Sequence, residues 1–221
     1  GTLSIATTHT QARYVLPQPV SRLREAYPDV TVSLHQGSPD QVARMVIEET
    51  AEIGMATESL ANYPELVTLP CYEWQHVLVM PKNHPLAGVK QITLERLQEH
   101  PLVTYHPSFT GRSRIDQAFA HQGLTPQIAL EAIDSDVIKT YVSLGMGVGV
   151  VAEMAVQDGL PDQLISRPAG QLFGTNTARV AFKRGSYLRH FVLEFAQMLS
   201  NRLSRELVLK ALEGRHTDYE L

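Results

Sequence analysis

Three short apolar runs near the start of the chain are separated by two amphipathic stretches, and that alternation leaves few folds open. The runs are Leu3-Ser4-Ile5-Ala6-Thr7, Val30-Thr31-Val32-Ser33-Leu34-His35 and Ile53-Gly54-Met55-Ala56-Thr57, which read as strands. Between the first two, Val20, Leu23, Ala26 and Tyr27 recur at helical spacing ahead of Pro28. They predict a helix over 18–27, with Pro17 and Pro19 suited to its first turn, where a missing N–H costs little. Ser38-Pro39-Asp40-Gln41 then carries a cap, a proline at the first helical position and a glutamine three residues after the cap. Val42, Met45 and Val46 give that helix its buried stripe. Strand, helix, strand, helix, strand implies right-handed crossovers and a parallel sheet, whose ligands bind beyond the carboxyl ends of the strands. Thr8, Ser38 and Thr57 fall at those ends.

The first strand breaks into a polar run, Thr7-Thr8-His9-Thr10-Gln11, just before a helical pattern. A helix start leaves N–H groups unpaired and carries partial positive charge, so hydroxyls and an amide gathered there suit a small anion. The plainer reading is that Thr8 or Thr10 is an N-cap and Gln11 faces solvent. One cap needs one hydroxyl, and this run offers more than that. Both readings stay open at this point.

Further along, Leu66–Cys71 and Trp74–Met80 read as two strands interrupted by Pro70 and the polar Glu73, and as the crossing into a second lobe. A short helix over 93–98 and a strand over 101–105 precede Thr110-Gly111-Arg112-Ser113, which opens a helix with Ile115, Ala118 and Phe119 on its apolar face. A strand over 128–133 leads to Asp134-Ser135-Asp136, a cap for a helix running through Leu144. Gly145-Met146-Gly147-Val148-Gly149 lies after a helix and runs into a strand, the reverse of the order a phosphate-cradling loop needs. Residues 157–176, rich in Pro, Gly, Asp and Gln, with a brief strand at Leu164 and Ile165, read as the return crossing. Thr177 to Phe182 rejoins the first sheet, and Leu188, Phe191, Val192, Phe195 and Leu199 mark a helix packed on it. The expected layout is α/β, two Rossmann-like lobes with a central cleft: 1–71 with 176–200 as a discontinuous first lobe and 72–175 as the second. A further amphipathic stretch, Leu203 to Leu212, opens the remaining 201–221, and 213–221 is expected to be a disordered terminus with no function read into it.

At 221 residues and 43% hydrophobic, the chain can bury a sizeable core, and no apolar run approaches the length of a membrane span. A single cysteine, Cys71, makes no internal disulfide, which fits a cytoplasmic setting. The net charge of −4 offers no basic surplus for nucleic acid, so any DNA-reading part is expected elsewhere. Gly1 leads directly into a strand with no initiator methionine, so the chain is expected to be a fragment. No nucleophile is paired with a base, and Asp134 and Asp136 are explained by capping, so neither enzyme chemistry nor a cofactor is expected.

Thr7-Thr8-His9-Thr10-Gln11-Ala12-Arg13-Tyr14, followed in order by His35-Gln36-Gly37-Ser38-Pro39, Phe109-Thr110-Gly111-Arg112-Ser113 and Asp136-Val137-Ile138-Lys139-Thr140-Tyr141-Val142, resembles the effector-binding domains of LysR-type transcriptional regulators. The resemblance runs from residue 1 to about residue 200. It is strongest to the activators of cysteine biosynthesis genes, and the sulfonate-utilisation regulators share nearly all of these motifs; Leu69-Pro70-Cys71-Tyr72-Glu73-Trp74 favours the former. The resemblance implies a type 2 periplasmic-binding-protein-like fold with a small anionic effector in the cleft. That effector is sulfate, N-acetylserine or O-acetylserine, or adenosine phosphosulfate in the sulfonate branch. It also implies an N-terminal winged helix-turn-helix on promoter DNA, absent from this chain. Effector domains are implied to dimerise by pairing the helix near 18–27 with that near 113–122 of a partner, with a homotetramer in the full-length protein and no membrane association.

By the same resemblance Thr8, Thr10, Gln11, Thr57 and Thr110 match effector-binding positions. Hydroxyl and amide donors at such positions can hold a small dianion without a cation, each bond being worth about 1.5–3 kcal/mol before desolvation. His9, Arg13, Ser38, Gly111, Arg112 and Trp74 are secondary candidates. Arg13 equally suits a solvent-facing position, His9 lacks the companions of a metal ligand, and Trp74 and Cys71 suit packing at the lobe crossing. Glu58 is the carboxylate next to Thr57, placed to orient a neighbour or repel a wrong anion. A periplasmic solute receptor for sulfate or an amino acid shares this architecture and is the competing reading.

Overall fold

A computed structural model describes residues 1–214. In chain order the elements are β1 (Thr2–Thr7), α1 (His9–Tyr14), α2 (Pro17–Ala26), β2 (Thr31–Gln36), α3 (Pro39–Ile47), β3 (Ile53–Ala56), β4 (Leu66–Pro81), α4 (Leu94–Leu97), β5 (Pro101–Tyr105), α5 (Arg112–His121), β6 (Gln127–Ala132), α6 (Ser135–Ser143), β7 (Val148–Ala152), β8 (Leu164–Pro168), α7 (Gly170–Phe173), β9 (Thr175–Lys183), α8 (His190–Leu199) and α9 (Arg205–Glu213). The chain divides into two units, one made of Gly1–Glu73 with the chain from Thr177 onward, the other of Trp74–Asn176. The expectation of a disordered terminus falls mostly on 215–221, outside the described residues. No helix among the described residues is long and apolar enough to cross a membrane.

In the first unit β1 pairs in parallel with β2 and with β3, as the alternation of strands and helices requires, while β3 pairs antiparallel with β9. The pleat sorts β1 side chains between two layers. Leu3 and Ile5 enter a core with Leu23, Val180, Phe182, Val192 and Phe195, whereas Ala6 joins Val42, Ala43 and Val46 of α3 on the other face. Gly54 lets α3 approach: a Cβ there would lie 2.8 Å from Val46 Cγ2 and 3.0 Å from Val42 Cγ1. The capping box of α3 forms as its sequence demands, Ser38 Oγ accepting from the Gln41 N–H at 3.3 Å and Gln41 Oε1 accepting from the Ser38 N–H at 2.8 Å.

In the second unit β5 pairs in parallel with β6 and β7, and β4 pairs antiparallel with β7 and β8. Leu78, Met80, Leu102, Ile115, Phe119, Val148, Val150 and Phe173 form its core. Asp134 caps α6 by accepting from the Asp136 and Val137 N–H groups at 2.7 and 3.3 Å. Arg167 gathers the carbonyls of Ala87 and Val89 at 3.1 and 2.8 Å, tying the 82–93 segment to β8.

The strand after residue 65 departs from the sequence reading. Leu66–Pro81 is a single strand of 16 residues, not two strands broken at Pro70 and Glu73. The fixed φ of proline lies within the extended range, and its missing N–H matters only where a ladder bond would form. Glu73 is exposed between the half-buried Tyr72 and buried Trp74, so its polarity reports a solvent-facing pleat position rather than a break.

Candidate functional site

The polar run after β1 sits on a tight bend. Thr8 occupies the N-cap position of α1 with ordinary extended dihedrals, φ −79° and ψ 162°, yet its side chain makes no capping bond to the helix. Thr10 and Gln11 are buried on α1 at 1% and 4% exposure, so Gln11 does not face solvent. Its carboxamide is oriented from far along the chain, because the Tyr72 hydroxyl of β4 donates to Gln11 Oε1. That bond turns the amide NH2 away from Tyr72, as the donor end. Tyr72 was missed in the sequence, and no local pattern could have linked it to a residue 61 positions away.

Thr57 closes β3 and shares a hydroxyl–hydroxyl bond with Ser59 at 2.9 Å. Glu58 faces the return strand: its carboxylate accepts the backbone N–H of Thr177. His9 is half-buried at the start of α1, and among the described residues no cluster of three or more His, Cys, Asp or Glu could hold a metal ion. Arg13 is exposed, with its guanidinium 4.9 Å over the ring of Tyr14. Ser38 is used as the cap of α3. Cys71 is 2% exposed with its thiol directed to the Leu199 carbonyl, and burial pushes its pKa up to about 12, so it stays a protonated, inert thiol.

In the second unit Thr110 and Gly111 precede α5 with φ of +46° and +71°, two successive left-handed residues. Thr110 is 4% exposed. The Thr110 carbonyl lies 2.9 Å from His76 Nε2, and His76 is fully buried. Burial drives the His76 pKa down to about 4, with the Thr110 bond opposing and the Arg114 charge assisting, so the ring is neutral. Trp74, at 3% exposure, meets that imidazole edge-on with centroids 4.9 Å apart, which makes it a packing residue of the second unit. Arg112 serves the unit's own framework. It donates to the Tyr105 carbonyl at 2.7 Å and to Asp116 at 2.8 Å, and pairs with Glu131. Burial alone would lower the Arg112 pKa, but the two carboxylates outweigh it and leave the group raised and charged. This guanidinium pins α5 to β5 and β6.

These residues and this fold have clear relatives. The chain belongs to the LysR substrate binding domain family, whose model it matches over residues 1–204. Its architecture is therefore that of LysR effector domains, α/β in the type 2 periplasmic-binding-protein-like class. It is 49% identical over 221 residues to the HTH-type transcriptional regulator CysB of Burkholderia cenocepacia, covering 100% of this chain and 71% of that protein. It is 47% identical over 204 residues to the regulator SsuR of the same organism, covering 92% of this chain and 66% of the relative. The chain thus spans about two thirds of the length of these curated relatives. The crystal structure of the cofactor-binding domain of the Cbl transcriptional regulator superposes with a TM-score of 0.91 at 44% identity, covering 97% of this chain and 94% of that one. All three relatives are transcriptional regulators, not enzymes.

Proposed function

We propose that this chain is the effector-sensing domain of a LysR-type regulator of cysteine biosynthesis and sulfur assimilation genes. It binds a small anionic effector of the sulfur pathway, sulfate, N-acetylserine or O-acetylserine, through Thr8, Thr10, Gln11, Thr57 and Thr110. The observation carrying this reading is Gln11, a buried carboxamide whose oxygen is held by Tyr72, which leaves its NH2 as the donor end in the same polar run as Thr8 and Thr10. Neutral donors of this kind match an acceptor-rich anion. In the full-length, cytoplasmic protein, effector binding shifts the balance between states of the assembled dimers or tetramers, and a winged helix-turn-helix carries that shift to promoter DNA.

A second reading is a sulfonate-utilisation regulator sensing adenosine phosphosulfate, favoured by the superposition on the Cbl domain. Calorimetric titration with sulfate, N-acetylserine, O-acetylserine and adenosine phosphosulfate separates the two. Binding of sulfate or an acetylserine, weakened about tenfold by Thr8→Ala and by Thr110→Ala, supports the cysteine-pathway reading. Binding of adenosine phosphosulfate alone supports the other, and binding indifferent to both threonines overturns the assignment of these residues.

A further inference from the structure

The turn that presents Thr110 is strained and rests on buried polar groups from elsewhere in the second unit. Left-handed φ at a β-branched residue costs about 1–2 kcal/mol, so something must hold Thr110 at +46°. Behind it lie two residues that the sequence did not single out. His76 is fully buried on β4, clamped edge-on by Trp74 at 4.9 Å and by Phe173 at 6.0 Å between ring centroids. Asn176, at the start of β9, is 1% exposed, and among the described residues neither its Oδ1 nor its Nδ2 has a hydrogen-bond partner. Both residues press on Gly111: a Cβ there would lie 2.7 Å from Asn176 Oδ1 and 2.7 Å from His76 Cε1. Only glycine fits at 111, both for its φ and for its neighbours.

We infer that His76 is a positioning residue for effector binding, its Nε2–H donating to the Thr110 carbonyl and holding the Thr110–Gly111 turn in the conformation that presents Thr110. The inference rests on Thr110 contacting the effector. The geometry gives His76 one role. A neutral imidazole bonded to a carbonyl must carry its proton on Nε2, which leaves Nδ1 as an acceptor, and Nδ1 is buried with no partner among the described residues. Trp74 and Phe173 supply the apolar walls that fix the ring plane, so Trp74 acts on the turn through His76. The Asn176 carboxamide packs closely against the same turn, its Oδ1 2.7 Å from where a Cβ on Gly111 would lie.

Two measurements on the 221-residue chain test this. Long-range 15N–1H NMR of the unliganded wild type is expected to show His76 protonated on Nε2; protonation on Nδ1 overturns the inference. Titration with N-acetylserine and with sulfate is then compared for His76→Phe, which keeps a ring but no donor, and His76→Gln, whose amide can donate near the same point. The expected result is about tenfold weaker binding for the phenylalanine variant, recovered to within about threefold by glutamine, with the Thr110 and Gly111 amide resonances moving in the first and returning in the second. In a Thr110→Ala background the His76→Phe penalty should disappear. A penalty of equal size in both backgrounds, or wild-type binding with unmoved turn resonances, overturns the inference. If Thr110→Ala leaves affinity unchanged while His76→Phe still displaces the turn resonances, the effector role of Thr110 fails and the hold of His76 on the turn stands. Should the phenylalanine variant not fold, the wild-type tautomer and the glutamine variant decide the matter.

Discussion

The two units set their candidate threonines in different backbone conformations. In the first, Thr8 and Thr57 take ordinary extended dihedrals at strand ends, with φ of −79° and −83°, and nothing strained is needed to display them. In the second, Thr110 and Gly111 are both left-handed and lean on a buried neutral histidine and a buried asparagine. Display in the first unit is a local property of a strand running into a polar bend. Display in the second depends on groups brought from β4 and β9, and it should respond to pH and to small changes of volume.

The largest expected effect tests that dependence. His76 has a folded pKa near 4, below its unfolded value of 6.5, so the unfolded chain binds the extra proton between those limits. The stability due to keeping this ring neutral is fully present above pH 6.5 and is lost as pH falls toward 4, by about 3 kcal/mol in all. Denaturant unfolding across that window should show the loss, and His76→Gln should flatten this part of the slope. An unchanged slope would remove the contrast between the units.

Next comes Gly111→Ala, which adds left-handed strain to a collision with Asn176 and His76. It should lower stability by about 2–3 kcal/mol in urea melts, whereas Thr8→Ala, which removes no capping bond, should change it by less than about 0.5 kcal/mol. Equal effects would erase the difference between the two units. Ser38→Ala should remove the α3 capping box and cost about 1 kcal/mol of stability with effector affinity unchanged, separating a cap from a ligand contact. Tyr72→Phe sharpens the comparison from the other side. Its stability loss should be about 0.5–1 kcal/mol, while release of the Gln11 carboxamide weakens sulfate binding several-fold by calorimetry.

Some elements could be read without the structure because their causes are local. The capping box at Ser38 and Gln41 and the Asp134 cap follow from residues within a few positions of one another, and the parallel pairing of β1 with β2 and β3 follows from the order of strands and helices. Misreading Leu66–Pro81 as two strands came from treating Pro70 and Glu73 as breakers without the sheet that pleats around them. The same alternation held a signal that was passed over: Trp74, His76 and Leu78 lie two apart, so one buried face places the histidine inside. In the sequence Arg112 reads as a charge that could tune the potential near Thr110, and only the fold shows Asp116 and Glu131 holding it.

The sequence by itself determined the α/β class, the order of elements and the polar ends of the strands, since periods of 2 and 3.6 and cap motifs act over a few residues. Tertiary structure decided which polar groups work together. Tyr72 orients Gln11 across 61 residues and His76 holds Thr110 across 34. Such pairings are set by how strands stack and bury their side chains, a long-range outcome that no local spacing encodes.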